Sequence, residues 1–205
     1  METTTISRTA RHQQTALPIR SLLKNSTNEL HNQLDSHPAL KRLLSPSATP
    51  AEVSYALSGF YMAYHQLRQQ GVLTAWAHLP NVGYEQLPYT LWLTADLTRL
   101  GGRTPKPIAC QQRIPMHSEA ALLGGLYVLL GSVMGSARIA NILASSEYAQ
   151  VREINFFRRS AESLAHFRAL IDQLEKVIVT AAERKECLAA AEAVFMLFIE
   201  SFQAV

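Results

Sequence analysis

Cysteine is scarce in this chain of 205 residues, which has only Cys110 and Cys187. The two are far apart and form no Cys-x-x-Cys motif, so a disulfide framework and a structural zinc site are both excluded. Low cysteine use of this kind is typical of reducing compartments, and we expect a cytoplasmic location. Glycine and proline are also few, with nine of each, while 48% of the residues are hydrophobic. This composition excludes a disordered or collagen-like chain.

Clustered positive charge is lacking as well, although the formal net charge is +3. Basic residues are scattered along the chain, and Arg158 and Arg159 form no more than a pair. A nucleic-acid interface needs clustered Lys and Arg that follow the phosphates, so we expect no nucleic-acid partner. The first 17 residues have no apolar run of the length that a secretory signal requires. We therefore predict a flexible tail over residues 1–17.

Strands are not predicted, because no stretch alternates apolar and polar residues for long enough. Helix signals occur instead. Thr49 and Glu52 form a capping box before apolar residues spaced three and four apart, and Thr180 and Glu183 form a second box. By the same signals, further helices are predicted over residues 19–36, 88–100 and 160–179. The chain has no repeat, low-complexity tract or linker, so we predict an all-α fold with one multi-helix domain of about seven or eight helices over residues 18–205.

One segment, residues 120–137, has 18 consecutive uncharged residues. Its length lies at the lower limit for a membrane span. Gly131 and Gly135 form a GxxxG motif, a spacing that also occurs where helices meet in membranes. The other predicted helices are amphipathic and need a partner for their apolar faces. We therefore favour a buried central helix and expect no membrane span.

The glycines of this segment need a further explanation, because each one inside a helix costs about 1 kcal/mol relative to alanine. Gly124, Gly125, Gly131 and Gly135 all fall within the length of one helix. Either another helix packs unusually close to them, or a flat group that is not protein lies against the bare backbone. Such glycines also permit a kink.

A second unusual feature is the pair His31 and Asp35, which are one turn apart on the first predicted helix. The carboxylate can accept the Nδ1 proton, fix the tautomer and leave Nε2 free to bind a metal. A histidine on a helix is more often an ordinary surface residue. The pair alone leaves both interpretations open.

Four segments of the chain resemble the haem oxygenases, particularly the compact bacterial forms. Residues 23–35 are similar to the proximal helix of that family, and residues 125–136 are similar to its glycine-rich distal helix. Two further blocks, residues 60–67 and 95–101, lie between them. The resemblance extends over residues 20 to 200, although the last two helices match in pattern more than in residue identity.

The resemblance implies that haem is both prosthetic group and substrate, and that it is opened with O2 and electrons to biliverdin, carbon monoxide and iron. His31 would be the axial ligand of the iron, and Asp35 would polarise it. Lys24 would pair with a haem propionate, although a solvated lysine is the competing interpretation. The electron donor would be a ferredoxin or a flavoprotein reductase. The position of ring opening and the oligomeric state are not predicted.

On the distal side, the resemblance implies that Gly131 and Gly135 let the helix approach the macrocycle closely. Ser132 is the candidate for holding an ordered water that does acid–base work. Ser136 would also contact haem, and it stands where bacterial relatives usually carry a second consecutive glycine. Because of this departure, a haem-binding or haem-carrying protein of the same fold without turnover remains an alternative.

Two other classes also remain open: a thiaminase-like all-α enzyme and a helical interaction module without catalytic activity. The thiaminase-like enzyme would need an activated cysteine, and neither Cys110 nor Cys187 lies in a sequence context that activates a thiol. The other histidines are predicted to be surface or capping residues: His12, His37, His65, His78, His117 and His166.

Overall fold

A computed structural model describes residues 17–107 and 111–205, and the described residues form helices, turns and loops without a strand. Seven of the helices have 11 residues or more: α1 (Ile19–Asp35), α3 (Pro50–Gln69), α5 (Tyr89–Arg99), α6 (Glu119–Gly131), α7 (Val133–Leu143), α10 (Leu164–Val177) and α11 (Ala181–Gln203). The short helices are α2 (Pro38–Leu43), α4 (Val72–Ala77), α8 (Ala149–Arg152) and α9 (Phe156–Ala161). The predicted all-α fold is confirmed. Most of the predicted tail, including His12, lies outside the described residues, as does Cys110.

Both predicted capping boxes are present. The Glu52 N–H donates to Thr49 Oγ1 (3.3 Å), and the Thr49 N–H donates to Glu52 Oε2 (2.9 Å), so two backbone donors at the start of α3 are satisfied. Thr180 and Glu183 make the same reciprocal bonds at the start of α11. These local hydrogen bonds explain why the two long helices begin where the sequence predicts.

The uncharged segment is two helices and not one. α6 ends at Gly131 and α7 begins at Val133, with Ser132 between them. The Ser132 N–H donates to the Leu129 carbonyl, three residues back, and the Ser132 hydroxyl donates to the same oxygen (2.7 Å). The tightened turn interrupts the α-helical hydrogen bonding, so the segment is divided at Ser132.

By length and composition alone, the segment Glu119–Leu143 is sufficient to cross a membrane, with a mean hydropathy of 1.7 in its most apolar window. However, 56% of that window is buried inside the protein. Helix α6 packs against α11 and α10, which take up its apolar surface. The burial agrees with the predicted role as a core helix.

Helix α11 packs against both of the unusual features predicted from the sequence, the His31 helix α1 and the glycine-rich helix α6. It packs against α6, α1 and α3, and its buried residues include Cys187, Val194 and Phe195. The His31 helix and the glycine-rich helix therefore share α11 as a neighbour.

Candidate functional site

Helix α1 holds His31 and Asp35 at its solvent-exposed surface. The His31 Nδ1 lies 3.3 Å from Asp35 Oδ2, and the two side chains are 57% and 64% exposed. The i,i+4 spacing of the helix produces this contact, as the sequence predicts. Among the described residues, nothing forms a hydrogen bond with His31 Nε2. One ring nitrogen is thus held by a carboxylate while the other is available to an external ligand.

A second contact of His31 was not predicted. The ring of Phe195 on α11 meets the imidazole edge to face, with centroids 5.9 Å apart. Phe195 is 6% exposed and belongs to the hydrophobic core. No local pattern links residues so far apart in the chain, so only the packing of α11 against α1 shows that they meet.

The four glycines of the uncharged segment belong to two different classes. A Cβ atom on Gly124 would collide with the backbone of Cys187 on α11, at its carbonyl oxygen. A Cβ atom on Gly125 would lie 3.0 Å from the ring of Trp76 and 3.3 Å from Val194. These two glycines are explained by close packing between α6 and its protein neighbours.

Gly131 and Gly135 have no such neighbours. The nearest atom to a Cβ on Gly131 would be in the ring of Phe167, at 3.9 Å, and a Cβ on Gly135 would have nothing within 4 Å. Gly135 is exposed, and it lies inside α7, where alanine would be the better helix former. Protein packing therefore does not explain why a side chain is missing here.

The two serines beside these glycines differ in their surroundings. Ser132 is exposed at the break between α6 and α7, and its hydroxyl donates a hydrogen bond to the Leu129 carbonyl. The oxygen of that hydroxyl can still accept a hydrogen bond. Ser136 is only 8% exposed, so its side chain lies among protein atoms. Little of Ser136 is therefore open to the haem contact that the resemblance implies.

Lys24 is exposed on α1 and forms no ion pair with the described residues. It precedes His31 by two turns, which is about 10 Å along a helix axis. Its long side chain is free to reach an anionic group at the edge of a ligand held by His31.

The cysteine that the structure describes is not an activated thiol. Cys187 is fully buried in α11, and burial raises the pKa of its thiol to about 12. A thiolate is the nucleophilic form, so Cys187 is not suited to the chemistry of a thiaminase-like enzyme. Cys110 lies outside the described residues.

Three of the histidines outside the pair are surface or capping residues, as predicted. The His37 ring caps α2, because Nδ1 accepts from the Ala39 N–H at 3.3 Å. His78 and His117 are exposed. His65 and His166 differ from the prediction, since both are partly buried and each has a buried Nδ1 without a hydrogen-bond partner. Burial is the main cause that lowers the pKa of His65, and the nearby positive charge of Arg68 lowers it further.

These observations fit haem better than they fit a protein partner. An imidazole with a free Nε2 suits a haem iron, and a carboxylate on its other nitrogen is the usual second partner of a metal-binding histidine. A helix with exposed glycine backbone leaves room for a flat macrocycle. The sequence resemblance indicated the His31–Asp35 pair and the glycine-rich helix. The contact of Phe195 with His31 and the position of Phe167 near Gly131 are visible only in the tertiary structure.

Comparison with known proteins points the same way. The family described as "Heme oxygenase" matches residues 17–204 of this chain. The chain is 33% identical over 106 residues to a heme oxygenase of Xanthomonas campestris pv. campestris (strain 8004). That alignment covers 52% of this chain and 62% of the relative, which is less than two thirds of its length.

The fold is similar to that of a solved structure, a heme oxygenase from Leptospira interrogans. The TM-score is 0.60, and the superposition covers 92% of this chain and 100% of the other. Sequence identity is 18%, so this likeness concerns the arrangement of the helices.

Proposed function

Because the chain belongs to the haem oxygenase family, we propose that it is an enzyme that uses O2 and electrons to open haem to biliverdin, carbon monoxide and iron. The observation that carries this proposal is the state of His31. Its Nδ1 is held by Asp35 at 3.3 Å, its ring is exposed, and its Nε2 has no partner among the described residues. When bound, haem supplies both the iron at which O2 reacts and the ring that is opened.

In this proposal His31 binds the iron through Nε2 in its neutral form. Asp35 accepts the Nδ1 proton, which fixes the tautomer and makes the imidazole a stronger donor. Both side chains are exposed, so their pairing contributes little to folding stability. Its role is to orient a ligand, and we expect loss of Asp35 to be milder than loss of His31.

Gly131 and Gly135 provide the distal surface. Without a Cβ at these positions, the backbone of the α6–α7 segment would be able to lie close to the macrocycle and would narrow the space left for O2 on that side. The Ser132 hydroxyl, which donates to Leu129, keeps an oxygen that can accept a hydrogen bond from water. We propose that this serine holds a water molecule that would supply protons during the opening of haem.

Lys24 would pair with a haem propionate and so help to set the rotation of the ring. Electrons come from a ferredoxin or a flavoprotein reductase, and we expect the protein to work in the cytoplasm. Family membership and the exposure of Lys24 support these assignments.

Titration with haemin followed by visible spectroscopy tests the proposal, and His117→Ala serves as the control for His31→Ala. The control is well matched because the His117 side chain is 64% exposed, close to the 57% of His31. We expect the Soret band and the affinity to change in His31→Ala and to stay as in the wild type in His117→Ala. An unchanged spectrum and affinity in His31→Ala would show that this histidine is not the ligand.

Turnover is measured separately, by adding a reductase or ascorbate to the haem complex and following biliverdin formation. Biliverdin from the wild type supports the enzyme. Haem binding through His31 without biliverdin under any reductant would instead support a carrier of the same fold. In that case Ser136→Gly shows whether the serine is responsible.

A further inference from the structure

A cavity of about 460 Å³ lies beside α9 and α10, and it contains none of the residues assigned above to haem. The side chains that define it chemically are Trp92, Arg158, Arg159, Glu162 and His166. Its volume is within the range of small-molecule sites. Binding in this cavity would not depend on the haem reaction proposed above.

Two adjacent arginines line the cavity without a carboxylate partner. The Arg159 guanidinium lies over the Trp92 ring, 5.2 Å from its centroid, and Arg158 donates to the Asn155 side-chain oxygen. Among the described residues, neither guanidinium lies within 4 Å of a carboxylate. Asp96 feels the charge of Arg159, but its oxygens accept from the N–H groups of Asn155 and Phe156.

The contact with Trp92 holds the Arg159 guanidinium in place before any ligand arrives. A stacked guanidinium keeps its edge donors available, and its fork of donors matches a carboxylate in two parallel hydrogen bonds. Since the side chain is already ordered, less entropy is lost on binding.

His166 supplies a second, independent indication of a polar ligand. It lines the same cavity, and its buried Nδ1 has no hydrogen-bond partner. A buried polar atom without a partner is costly and uncommon in native proteins. Because protein atoms enclose Nδ1, a carboxylate between His166 and the arginines would satisfy it only after the imidazole turns towards the cavity.

The remaining lining sets the charge and shape of the ligand. Glu162 opposes one of the two arginine charges, so the formal charge of the three groups is +1, which matches a monoanion better than a phosphate dianion. Leu87 and the part of Trp92 that Arg159 leaves free provide apolar surface. We propose that this cavity binds a small monocarboxylate with a flat apolar body.

Benzoate is the probe, and the indole N–H signals of the haem-free chain of 205 residues are the readout in ¹H–¹⁵N NMR. The chain has two tryptophans. Trp92 lines the cavity, whereas Trp76 is fully buried and packs against Gly125, so it is an internal reference. We expect the Trp92 signal to shift saturably with benzoate while the Trp76 signal stays in place. Equal shifts of both signals, or no saturable shift, would overturn the proposal.

Charge-removing variants show whether the arginines hold the carboxylate. We expect Arg158→Gln and Arg159→Gln each to weaken benzoate binding by about tenfold, the effect of losing one charged hydrogen bond. Arg113→Gln, which removes an exposed arginine outside the cavity, should leave it unchanged. Unchanged binding in both cavity variants contradicts the proposal. If circular dichroism shows that Arg159→Gln does not fold, Arg158→Gln and His166→Phe take its place. We then expect both of these variants to bind benzoate more weakly than the wild type, and unchanged binding in both would contradict the proposal.

Inorganic phosphate distinguishes the proposed site from a general anion site. We expect phosphate to compete poorly with benzoate, because Glu162 repels the second charge and phosphate has no apolar surface. Phosphate that binds as tightly as benzoate would contradict the monocarboxylate assignment.

Discussion

The ring of Phe195 meets the imidazole of His31 edge to face, with centroids 5.9 Å apart and planes inclined at 67°. Asp35 holds the same imidazole at Nδ1. The carboxylate and the aromatic edge together restrict the rotation of the imidazole, and they come from different helices. The direction of Nε2 therefore depends on how α11 packs against α1.

Phe195→Leu tests this restriction. We expect haem to bind several-fold more weakly, with a broadened or shifted iron–histidine stretching band, because the imidazole is less well oriented. Phe198→Leu is the matched control, since Phe198 lies on the same helix, is also 6% exposed and packs against Phe60 and Tyr64 instead. Both variants should lose about 1–2 kcal/mol of stability. Equal changes in the iron–histidine band in the two variants would show that Phe195 does not position His31.

The two classes of glycine predict opposite effects of alanine on folding stability. Gly135→Ala should stabilise the haem-free protein by up to about 1 kcal/mol, because the new methyl group enters open space inside a helix. Gly124→Ala should destabilise it by about 1–3 kcal/mol or more, because the methyl group collides with the Cys187 backbone. Denaturant unfolding of both variants measures these differences. Destabilisation by Gly135→Ala would place a protein neighbour where the structure shows none.

Activity of the haem-loaded Gly135→Ala variant tests whether Gly135 lies beside the macrocycle. We expect Gly135→Ala to keep ligation by His31 but to lose biliverdin formation, since the methyl group pushes the helix from the macrocycle. A gain in folding stability is expected for this variant in any case, so stability by itself does not test the distal role. Full turnover in a stabilised Gly135→Ala variant would contradict it.

Lys24→Ala is expected to change the orientation of haem more than its affinity. An exposed charge pair is worth less than about 1 kcal/mol, so the dissociation constant should change only slightly. The pattern of haem methyl signals in NMR and the ratio of biliverdin isomers should change instead. Lys41→Ala removes another exposed lysine and should leave both unchanged. Identical patterns in wild type and Lys24→Ala would identify the lysine as simply solvated.

The start of α3 is predicted to weaken in acid because of Glu52. The Arg42 guanidinium, with hydrogen bonds from Thr49, lowers the Glu52 pKa to about 2 from an ordinary value near 4.5. Since the folded-state pKa is the lower one, the stabilising contribution is complete above pH 4.5 and is lost as the pH falls towards 2. Glu52→Gln should flatten the decline of stability in this range. Thermal unfolding from pH 6 to pH 2 measures the difference, and parallel curves would contradict it.

The amino-acid sequence was enough to predict the features that depend on neighbours within one or two helical turns. Thr49 caps α3 through Glu52, and His31 meets Asp35, because a helix places residues three and four apart on the same face. The all-α class followed from the same periodicity. The resemblance of residues 23–35 and 125–136 to the haem oxygenases indicated the family, which the comparison over residues 17–204 then showed.

The packing of the helices was needed to tell which glycines lie against protein atoms and which face open space. Gly124 and Gly135 look alike in the sequence, yet one touches the backbone of α11 and the other touches nothing within 4 Å. The contact of Phe195 with His31 likewise joins residues from opposite ends of the chain. Such relationships depend on how whole helices pack, and helix packing is set by the summed contacts of many side chains and not by any local pattern.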